Sequence, residues 1–469
     1  MKALTLQTLA TLSGGKLVHG DGTQTCLSVS TDSRKVSPGT VFVALVGEKF
    51  DAHDFLPQVA EAGATAVLVS RVPENVATLG CGVIEVEDTL QALQTLARAH
   101  RQLLDPLIIA ITGSNGKTST KDLTAAILRK KYDLSATAGN LNNHIGVPLT
   151  LLGMNESQNC GVVEMGMNHF GEIATLAEIA LPNAAIITNI GIAHIEYMGS
   201  REGIAQEKGT LAEAIPADGV VILNANDDFS PSIAARSKAK ILTAGIGAGD
   251  VKATILESST EGSRFTLDFE GQVQLEISMP VVGEHMVANA TLAAACGWHF
   301  GVDPQDIAIA LSEVELTKGR LQIKRINGVT FVDDSYNANP DSMRAGLKAL
   351  ASMSVAGRRV AILGRMGELG IHAEEGHRQV GEAAAQADLS ALLTVGSDEA
   401  SLIGQSAVRN SSHLMHQHFM SQEDCAAFLQ TWVKKGDTVL FADHAGTKVE
   451  FNSEELQIIH EYDVMGIVQ

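Results

Sequence analysis

Aromatic residues, cysteines and long apolar runs are all scarce in this chain of 469 residues. Aromatics supply 4% of the sequence, while 45% is hydrophobic and 19% is charged, a balance typical of globular proteins. No run of about 18 apolar residues occurs, so we expect no membrane insertion. The N-terminal segment has no unbroken apolar core and makes a poor signal peptide.

Cysteine and positive charge are also in short supply. The five cysteines are far apart, odd in number and lack metal-site spacing, which predicts free thiols in a reducing, cytoplasmic compartment: Cys26, Cys81, Cys160, Cys296 and Cys425. Lysine and arginine total 34 against 54 acidic residues, a formal net charge of −20. Such a surface argues against nucleic acid as the main partner, yet it allows a local basic pocket for phosphate.

The order of apolar and helical segments predicts an α/β protein of three domains, with boundaries at 1–104, 105–315 and 316–469. In the central domain, LIIAIT, GVVEM, AAIITNI and GVVILN alternate with helical segments, which predicts a doubly wound, mostly parallel sheet. Residues 251–279 alternate polar and apolar side chains and predict a small antiparallel patch. The last domain is expected to be a Rossmann-like α/β unit.

A glycine-rich loop, GSNGKTS, stands between the strand LIIAIT and a helix. Glycines let backbone N–H groups surround a phosphate, and the helix N-terminus adds partial positive charge. Lysine and threonine at these positions suit the β/γ-phosphates and Mg²⁺. The sequence therefore predicts a phosphate site, of a shorter form than GxxxxGK[ST], made of Gly113, Ser114, Asn115, Gly116, Lys117, Thr118 and Ser119.

Two further side chains follow predicted strands of the same sheet. Glu164 ends GVVEM, and His194 lies in the turn after AAIITNI. Because ligands of open α/β sheets bind beyond the carboxyl ends of the strands, both are candidate metal or phosphate contacts. A solvated glutamate and a structural histidine are the competing interpretations.

Two asparagine-rich segments allow two interpretations each. GNLNNHIGVPLTL contains Asn142 and Asn143, and DDSYNANP contains Asn337 and Asn339. Dense amide side chains are unfavourable to bury without hydrogen-bond partners. The first segment is either a turn or a substrate-binding loop, and the second either caps a helix or contacts nucleotide and substrate.

Taken together, these segments resemble the Mur ligase family over about residues 25–440 and in the family's order. TDSRKVSPGTVFVAL with GEKFDAHDF resembles the uridine-nucleotide domain of two late members. GNLNNHIGVPLTLL and EMGMNHFGEI are similar to segments of members that add D-alanyl-D-alanine. The EVSSH-like segment and DNPR motif of the tripeptide-forming members do not occur in this sequence.

The resemblance implies a monomeric ATP-dependent ligase that joins D-alanyl-D-alanine to UDP-N-acetylmuramoyl-tripeptide through an acyl phosphate, with ATP and Mg²⁺ as cofactors. It implies that Lys117, His194 and Lys208 are catalytic and that Thr118, Glu164 and His194 hold metal. From the residues alone, Lys208 is interpreted as a solvated helix lysine. The resemblance implies instead that Lys208 is a carbamylated metal ligand. The remaining implied roles are nucleotide binding by Asn289, Arg320 and Asp334, dipeptide contacts by Asn337 and Asn339, and uridine-nucleotide contacts by Ser33 and Arg34.

The sequence departs from the family's pattern in two places. GRMGELG has Arg365 where the family commonly has aspartate. From about residue 440 the family's KGSR-like motif is missing, and residues 436–469 instead resemble the C-terminal end of a small co-chaperonin. This tail motivates a competing hypothesis, an inactive Mur-like ATP-binding protein.

A sister ligase and a generic ATPase or kinase are two further competing hypotheses. A folylpolyglutamate or cyanophycin-type ligase shares the central domain, but the TDSR segment argues against it because those enzymes lack the first domain. A generic ATPase or kinase predicts phosphate release or transfer that does not depend on a peptide and an amine.

Overall fold

The computed structural model of this protein describes residues 1–47, 50–74, 76–259, 261–442, 448–451 and 454–457. Helices and strands alternate along three consecutive stretches of chain, and each stretch builds its own main sheet. The predicted α/β class, with a large and mostly parallel central sheet, is confirmed. Within the described residues, no helix combines the length and apolar character needed to cross a membrane.

The first stretch forms a five-stranded sheet and a separate strand pair. Its elements are β1 (Leu4–Thr5), α1 (Leu6–Leu12), β2 (Lys16–His19), β3 (Thr25–Cys26), β4 (Ser28–Ser30), β5 (Thr40–Val43), α2 (Leu56–Glu61), β6 (Ala66–Val69), β7 (Gly82–Glu85) and α3 (Thr89–Leu104). The strand order is β2-β7-β6-β5-β4, with β2 antiparallel to β7 and the others parallel.

The apolar spacing after Asp88 predicts a helix from about Thr89 to Leu104, and α3 has these bounds. The Asp88 side chain accepts a hydrogen bond from the backbone N–H of Gln91 and so caps the helix start. At the other end Asp105 takes a left-handed conformation, and its N–H donates to the carbonyl of Arg101. Pro106 follows at once and prevents the helix from continuing.

The central stretch builds a nine-stranded sheet flanked by helices. Its strands are β8 (Leu107–Thr112), β9 (Leu134–Ala136), β10 (Cys160–Glu164), β11 (Ala184–Ile187), β12 (Val220–Asn224), β13 (Lys240–Ile246), β14 (Val251–Ser259), β15 (Gly262–Phe269) and β16 (Val273–Met279). Its helices are α4 (Lys117–Leu128), α5 (Gly146–Gly153), α6 (Glu172–Ala180), α7 (Ile195–Met198), α8 (Arg201–Ala214), α9 (Ser230–Ala234), α10 (Glu284–His299) and α11 (Pro304–Ser312).

The strand order of this sheet places the predicted phosphate loop, residues 113–119, between the ends of two other strands. The order is β16-β15-β14-β13-β12-β11-β8-β10-β9, parallel from β9 to β14 and antiparallel from β14 to β16. The predicted antiparallel patch is thus confirmed, and Phe265, Leu267 and Phe269 of β15 alternate inward as expected. Since β8 has β10 and β11 as neighbours, residues after all three strands meet at one sheet edge.

The third stretch builds a six-stranded sheet. Its elements are β17 (Gln322–Ile326), β18 (Val329–Asp333), α12 (Pro340–Ser352), β19 (Arg359–Leu363), α13 (Ala373–Gln386), β20 (Ala391–Val395), α14 (Asp398–Asn410), β21 (Met415–Phe419), α15 (Gln422–Trp432) and β22 (Thr438–Ala442). The order is β17-β18-β22-β19-β20-β21, and only the pairing of β17 with β18 is antiparallel. Strands β17 and β21 were not predicted.

The atypical tail begins inside this sheet. Strand β22 lies between β18 and β19, so the segment DTVLFA completes the sheet interior. After it, β23 (Lys448–Phe451) and β24 (Glu454–Gln457) pair with each other as an antiparallel hairpin. The rest of the tail, residues 443–447, 452–453 and 458–469, lies outside the described residues.

The cysteines belong to the interior. Cys26, Cys81, Cys160 and Cys296 are free, as predicted, and the structure buries them; Cys425 is buried against the third sheet. Burial raises the pKa of the Cys26 thiol to about 11 and that of Cys160 to about 12. Both thiols therefore stay protonated and poorly nucleophilic at neutral pH.

Candidate active site

The phosphate loop joins β8 to α4, as the sequence predicts, and two of its glycines are required by close contacts. Gly113 has φ 150°, and a Cβ there would lie 1.8 Å from Oγ1 of Thr188. Gly116 has φ 79°, and its Cβ would lie 2.6 Å from Oδ1 of Asn289. Any side chain at either position would collide with buried neighbours.

The strand end after β11 holds the loop backbone in place. The carbonyl of Asn115 accepts hydrogen bonds from the Thr188 hydroxyl at 2.5 Å and from Nδ2 of Asn189 at 3.1 Å. The N–H of Asn115 donates to Oδ1 of Asn189 at 3.0 Å. The Lys117 ammonium donates to the carbonyl of Gly113 at 3.0 Å, so it lies over the loop. This arrangement leaves a lysine and a helix N-terminus facing one small volume, as phosphate binding requires.

Glu164 lies at the end of β10, where it is 2% exposed. One carboxylate oxygen, Oε1, accepts a hydrogen bond from Nδ2 of Asn142 at 2.8 Å. The other, Oε2, has no hydrogen-bond partner among the described residues. A buried carboxylate oxygen without a donor is unfavourable on its own and favourable beside a cation, so the geometry fits a metal ligand.

The loop that contains Asn142 also starts a helix. Oδ1 of Asn143 accepts from the backbone N–H groups of Ile145 and Gly146 at 3.1 and 2.9 Å. The turn interpretation of GNLNNHIGVPLTL is therefore confirmed by Asn143. Asn142 reaches Glu164, and substrate binding by this loop stays a prediction.

Lys208 lies on α8 and is fully buried, with no hydrogen-bond partner for Nζ in the described part of the chain. Burial, with a smaller contribution from the nearby charge of Lys117, holds the pKa of Lys208 well below its usual value. The solvated-lysine interpretation is therefore wrong. The adjacent Glu207 accepts from the N–H groups of Gly171 and Ile173 and anchors the start of α6.

His194 begins the short helix α7 in a left-handed conformation, with φ 63°. Its Nδ1 lies 2.6 Å from Oε2 of Glu368, which belongs to the third stretch of chain. The backbone N–H of Glu196 donates to the carbonyl of Glu368 at 3.3 Å. The segment GRMGELG therefore contacts the central sheet edge through Glu368, while Arg365 on the same segment forms an ion pair with Glu399.

Two other residues of the third stretch reach the phosphate loop. Nη2 of Arg320 donates to the Thr118 hydroxyl at 3.3 Å, and its guanidinium lies 3.9 Å from the ring centre of Tyr336. Nδ2 of Asn339 donates to Oδ1 of Asn115 at 2.7 Å. Asn339 also forms a capping box at the start of α12 with Ser342, which confirms the capping interpretation of DDSYNANP. Its contact with nucleotide and substrate stays a prediction.

A cavity of about 1270 Å³ collects these groups and extends to the first stretch. Its wall includes Ser28, Asp32 and Lys35 from the first stretch and Glu368 from the third. The predicted residues on the wall are Ser114, Asn115, Gly116, Lys117, Thr118, Asn142, Asn143, Glu164, His194, Arg320, Asn337 and Asn339.

The other predicted residues stand beside or behind this wall. Gly113, Ser119 and Lys208 lie in the loop, the first turn of α4 and the helix α8. Asn289 is buried against Gly116. Ser33 and Arg34 form a short turn next to Asp32, whose carboxylate accepts from Nε and Nη2 of Arg34 at 2.9 and 3.1 Å.

The carboxyl group of Asp334 has a pKa that its surroundings shift. Burial raises the pKa of its carboxyl group to about 7, against the opposing effect of the nearby Arg320 guanidinium. The carboxyl group therefore keeps its proton to a higher pH than an exposed aspartate does. Its N–H donates to the carbonyl of Phe441 in β22, which ties it to the sheet.

Sequence reasoning missed Glu368, Thr188, Asn189 and Asp341. The Asp341 carboxylate accepts from the N–H of Ile192 at 3.0 Å, so the first turn of α12 contacts the turn that carries His194. Thr188 and Asn189 stand directly after an apolar strand run, which is the signal that identified His194. Glu368 lies in GRMGELG, after another apolar strand run, but that segment was singled out only for Arg365, and the partner His194 is distant in sequence.

Three family descriptions match successive parts of this chain. They are "Mur ligase family, catalytic domain" over 27–101, "Mur ligase middle domain" over 111–297 and "Mur ligase, glutamate ligase domain" over 319–442. With the phosphate loop and strand-end residues described above, they define the class of protein. The chain belongs to the Mur ligase family of ATP-dependent ligases.

Its relatives point to one member of the family. The chain is 38% identical to the UDP-N-acetylmuramoyl-tripeptide–D-alanyl-D-alanine ligase of Bacillus subtilis, covering 95% of this chain and 96% of that one. It is 40% identical to the ligase of the same name from Escherichia coli over 84% and 86% of the two chains. A crystal structure of MurF from Acinetobacter baumannii superposes with a TM-score of 0.86 at 33% identity, covering 94% and 96%.

The tail matches a second family. Residues 422–468 match the "Chaperonin 10 Kd subunit" description, which begins earlier than the predicted resemblance and overlaps the Mur match up to residue 442. Helix α15 and strand β22 lie in the overlap, and both belong to the third stretch.

Proposed function

We propose that this protein joins D-alanyl-D-alanine to UDP-N-acetylmuramoyl-tripeptide, with ATP converted to ADP and phosphate, in peptidoglycan precursor synthesis. The observation that carries the proposal is the single cavity that runs from the phosphate loop to the segment Ser28–Lys35, because it can hold a nucleotide phosphate and a second, extended substrate together. The named relatives, which match almost the full chain, support this choice of substrates.

In the first step, an oxygen of the tripeptide's terminal carboxylate attacks the γ-phosphorus of ATP. The bond from that phosphorus to the bridging oxygen breaks, ADP leaves, and an acyl phosphate forms. Lys117 and Arg320 supply positive charge where negative charge accumulates, and most of the barrier reduction comes from such positioning and charge stabilisation.

In the second step, the free amine of D-alanyl-D-alanine attacks the activated carbonyl carbon. The C–O bond to phosphate breaks, the proton lost by the amine is carried away by the leaving inorganic phosphate, and the amide forms. Water must be excluded, since it hydrolyses an acyl phosphate. Two contacts at the start of α12 hold the third stretch over this cavity. Asn339 contacts Asn115 of the loop, and Asp341 contacts Ile192 in the turn that carries His194.

The site suits Mg²⁺ with few protein ligands. The described residues contain no group of three or more His, Cys, Asp or Glu side chains arranged around a metal ion. Magnesium usually keeps several waters and takes only one or two carboxylates plus substrate phosphates. Glu164 Oε2, the Thr118 hydroxyl and His194 are the residues that would hold it, and the ion would neutralise phosphate charge.

Lys208 is proposed to carry a carbamate. A neutral buried amine attacks carbon dioxide, forms a C–N bond and releases a proton, so the site gains an anion. The absence of any described hydrogen-bond partner for Nζ and its lowered pKa support this reaction. Loss of activity in Lys208→Ala, recovered by added short carboxylic acids, is the expected result, and unchanged activity would contradict it.

The remaining residue assignments are proposals of the same kind. Asn289, Arg320 and Asp334 bind the nucleotide, Asn142, Asn143, Asn337 and Asn339 contact the peptide substrates, and Ser33 and Arg34 contact the uridine nucleotide. The chain divides into domains at 1–104, 105–315 and 316–469, and the protein acts as a monomer in the cytoplasm.

The test measures phosphate release from Mg-ATP with UDP-N-acetylmuramoyl-tripeptide and D-alanyl-D-alanine added separately and together. Release only when both are present, with a pentapeptide product, is expected. Release without the amine would contradict the proposal and favour an uncoupled ATPase. ATP binding without release would favour an inactive binder and direct attention to the tail after residue 442.

A further inference from the structure

The contact between Glu368 and His194 joins two stretches of chain at the cavity wall. We propose that Glu368 is a positioning residue, whose carboxylate fixes the His194 imidazole toward the cavity when the third stretch is docked. The inference rests on the proposed function, because it assigns Glu368 a part in the same ligase reaction.

The geometry at His194 determines which ring nitrogen is available. Nδ1 lies 2.6 Å from Oε2 of Glu368, and both side chains are mostly buried, at 15% and 23% exposure. The two groups lie within ion-pair distance, although Nδ1 forms no hydrogen bond of regular geometry among the described residues. A negative carboxylate this close to Nδ1 favours the tautomer with its proton there, which leaves the Nε2 lone pair for a cation or a phosphate-bound proton. Without Glu368, the ring has both tautomers and more orientations available.

The backbone makes the same contact specific. His194 and Glu368 are both non-glycine residues in the left-handed region, with φ 63° and 58°. Such conformations are unfavourable for residues other than glycine and persist where surrounding contacts impose them. Here the imposed geometry points the two side chains at each other across the boundary between the stretches.

A second pair of contacts holds Glu368 in register. Its carbonyl accepts from the N–H of Glu196 at 3.3 Å, two residues beyond His194. Gly370 packs on the same residue, since a Cβ there would lie 2.9 Å from Cγ of Glu196. The segment therefore binds the start of α7 at three points, and the carboxylate reaches His194 only when this segment is in place.

The experiment is a double-mutant cycle built from Glu368→Ala, His194→Ala and their combination. Glu368→Gln is the conservative variant. Glu374→Gln, at an exposed position of helix α13, is the matched control. We expect Glu368→Ala to lower kcat by about 10–100-fold, the usual loss for such partners of histidine, with KM for ATP changed less than about twofold. Glu368→Gln keeps an acceptor oxygen and retains more activity. In the His194→Ala background, Glu368→Ala causes no further loss, and Glu374→Gln is neutral throughout.

Equal losses from Glu368→Ala in both backgrounds, or an effect on KM alone, would overturn the proposal. Thermal unfolding of the ligand-free parent, the two single alanine variants and the double variant gives a readout independent of activity. Failure of the proposed function is recognised separately, because the unmodified protein then makes no pentapeptide. In that case, non-additive unfolding midpoints support the contact, and additive midpoints refute it.

Discussion

Lys208 allows the sharpest test of how burial shapes this site. The folded protein holds a fully buried amine whose pKa is well below 10.5, while the unfolded chain exposes an ordinary lysine. Between these two pKa values unfolding takes up one proton, so the free energy of unfolding rises with pH by about 1.4 kcal/mol per unit. Replacing Lys208 with methionine removes this proton uptake and keeps an apolar side chain of similar length.

We therefore expect Lys208→Met to be more stable than the parent near neutral pH in buffer free of carbon dioxide. The difference in unfolding free energy should shrink by about 1.4 kcal/mol for each pH unit between the lowered folded pKa and the unfolded value of 10.5. Added bicarbonate should stabilise the parent and leave the methionine variant unchanged, because only the lysine forms a carbamate in the folded state.

The assay uses one of the two tryptophans as a local probe. Trp298 lies on α10 beside Phe269 of the central sheet, and Trp432 lies on α15 of the third stretch. In a Trp432→Phe background, urea unfolding followed by Trp298 fluorescence reports the central stretch alone. Lys238→Met, at an exposed lysine, is the matched control and should show no pH-dependent difference. A pH-independent gap for Lys208→Met would refute the reasoning, because Lys208 would then keep its charge when folded.

Three further predictions concern the nucleotide side of the cavity. Gly116→Ala combines left-handed strain of about 1–2 kcal/mol with a Cβ contact of 2.6 Å, so calorimetric titration should show ATP binding weakened by at least about tenfold. The control Gly153→Ala, whose Cβ meets nothing within 4 Å, should bind ATP as the parent does. Arg320→Lys keeps the charge but loses the guanidinium over Tyr336, so KM for ATP should rise about tenfold in steady-state kinetics. The pKa of Asp334 is about 7 in the folded protein and 3.8 in the unfolded chain, so between these values the folded carboxyl group is protonated and the unfolded one is ionised. The third stretch should therefore lose stability as pH rises from 3.8 to about 7. Asp334→Asn should flatten this loss, as measured by Trp432 fluorescence. Equal binding by the two alanine variants, an unchanged KM, or parallel pH curves would contradict them in turn.

Local sequence signals were sufficient for much of the fold. Helix α3 runs over its predicted bounds because its cap, Asp88, and its stop, Asp105 followed by Pro106, are all local. The strand LIIAIT became β8 with the predicted bounds because an apolar run before a glycine loop suits a buried parallel strand. Strand β21, MHQHF, was missed, since its polar edge-strand sequence lacks such a pattern.

The sequence by itself determined the glycine-rich loop between β8 and α4 and the α/β class, because glycine placement and apolar periodicity act over a few residues. Only the tertiary structure decided that Lys208 is buried without a described partner, that Arg320 reaches Thr118, and that Glu368 faces His194. These contacts join residues far apart in the chain, where the packing of whole sheets and helices sets the distance. The local sequence around a helix lysine therefore does not show whether its side chain lies in solvent or in the core.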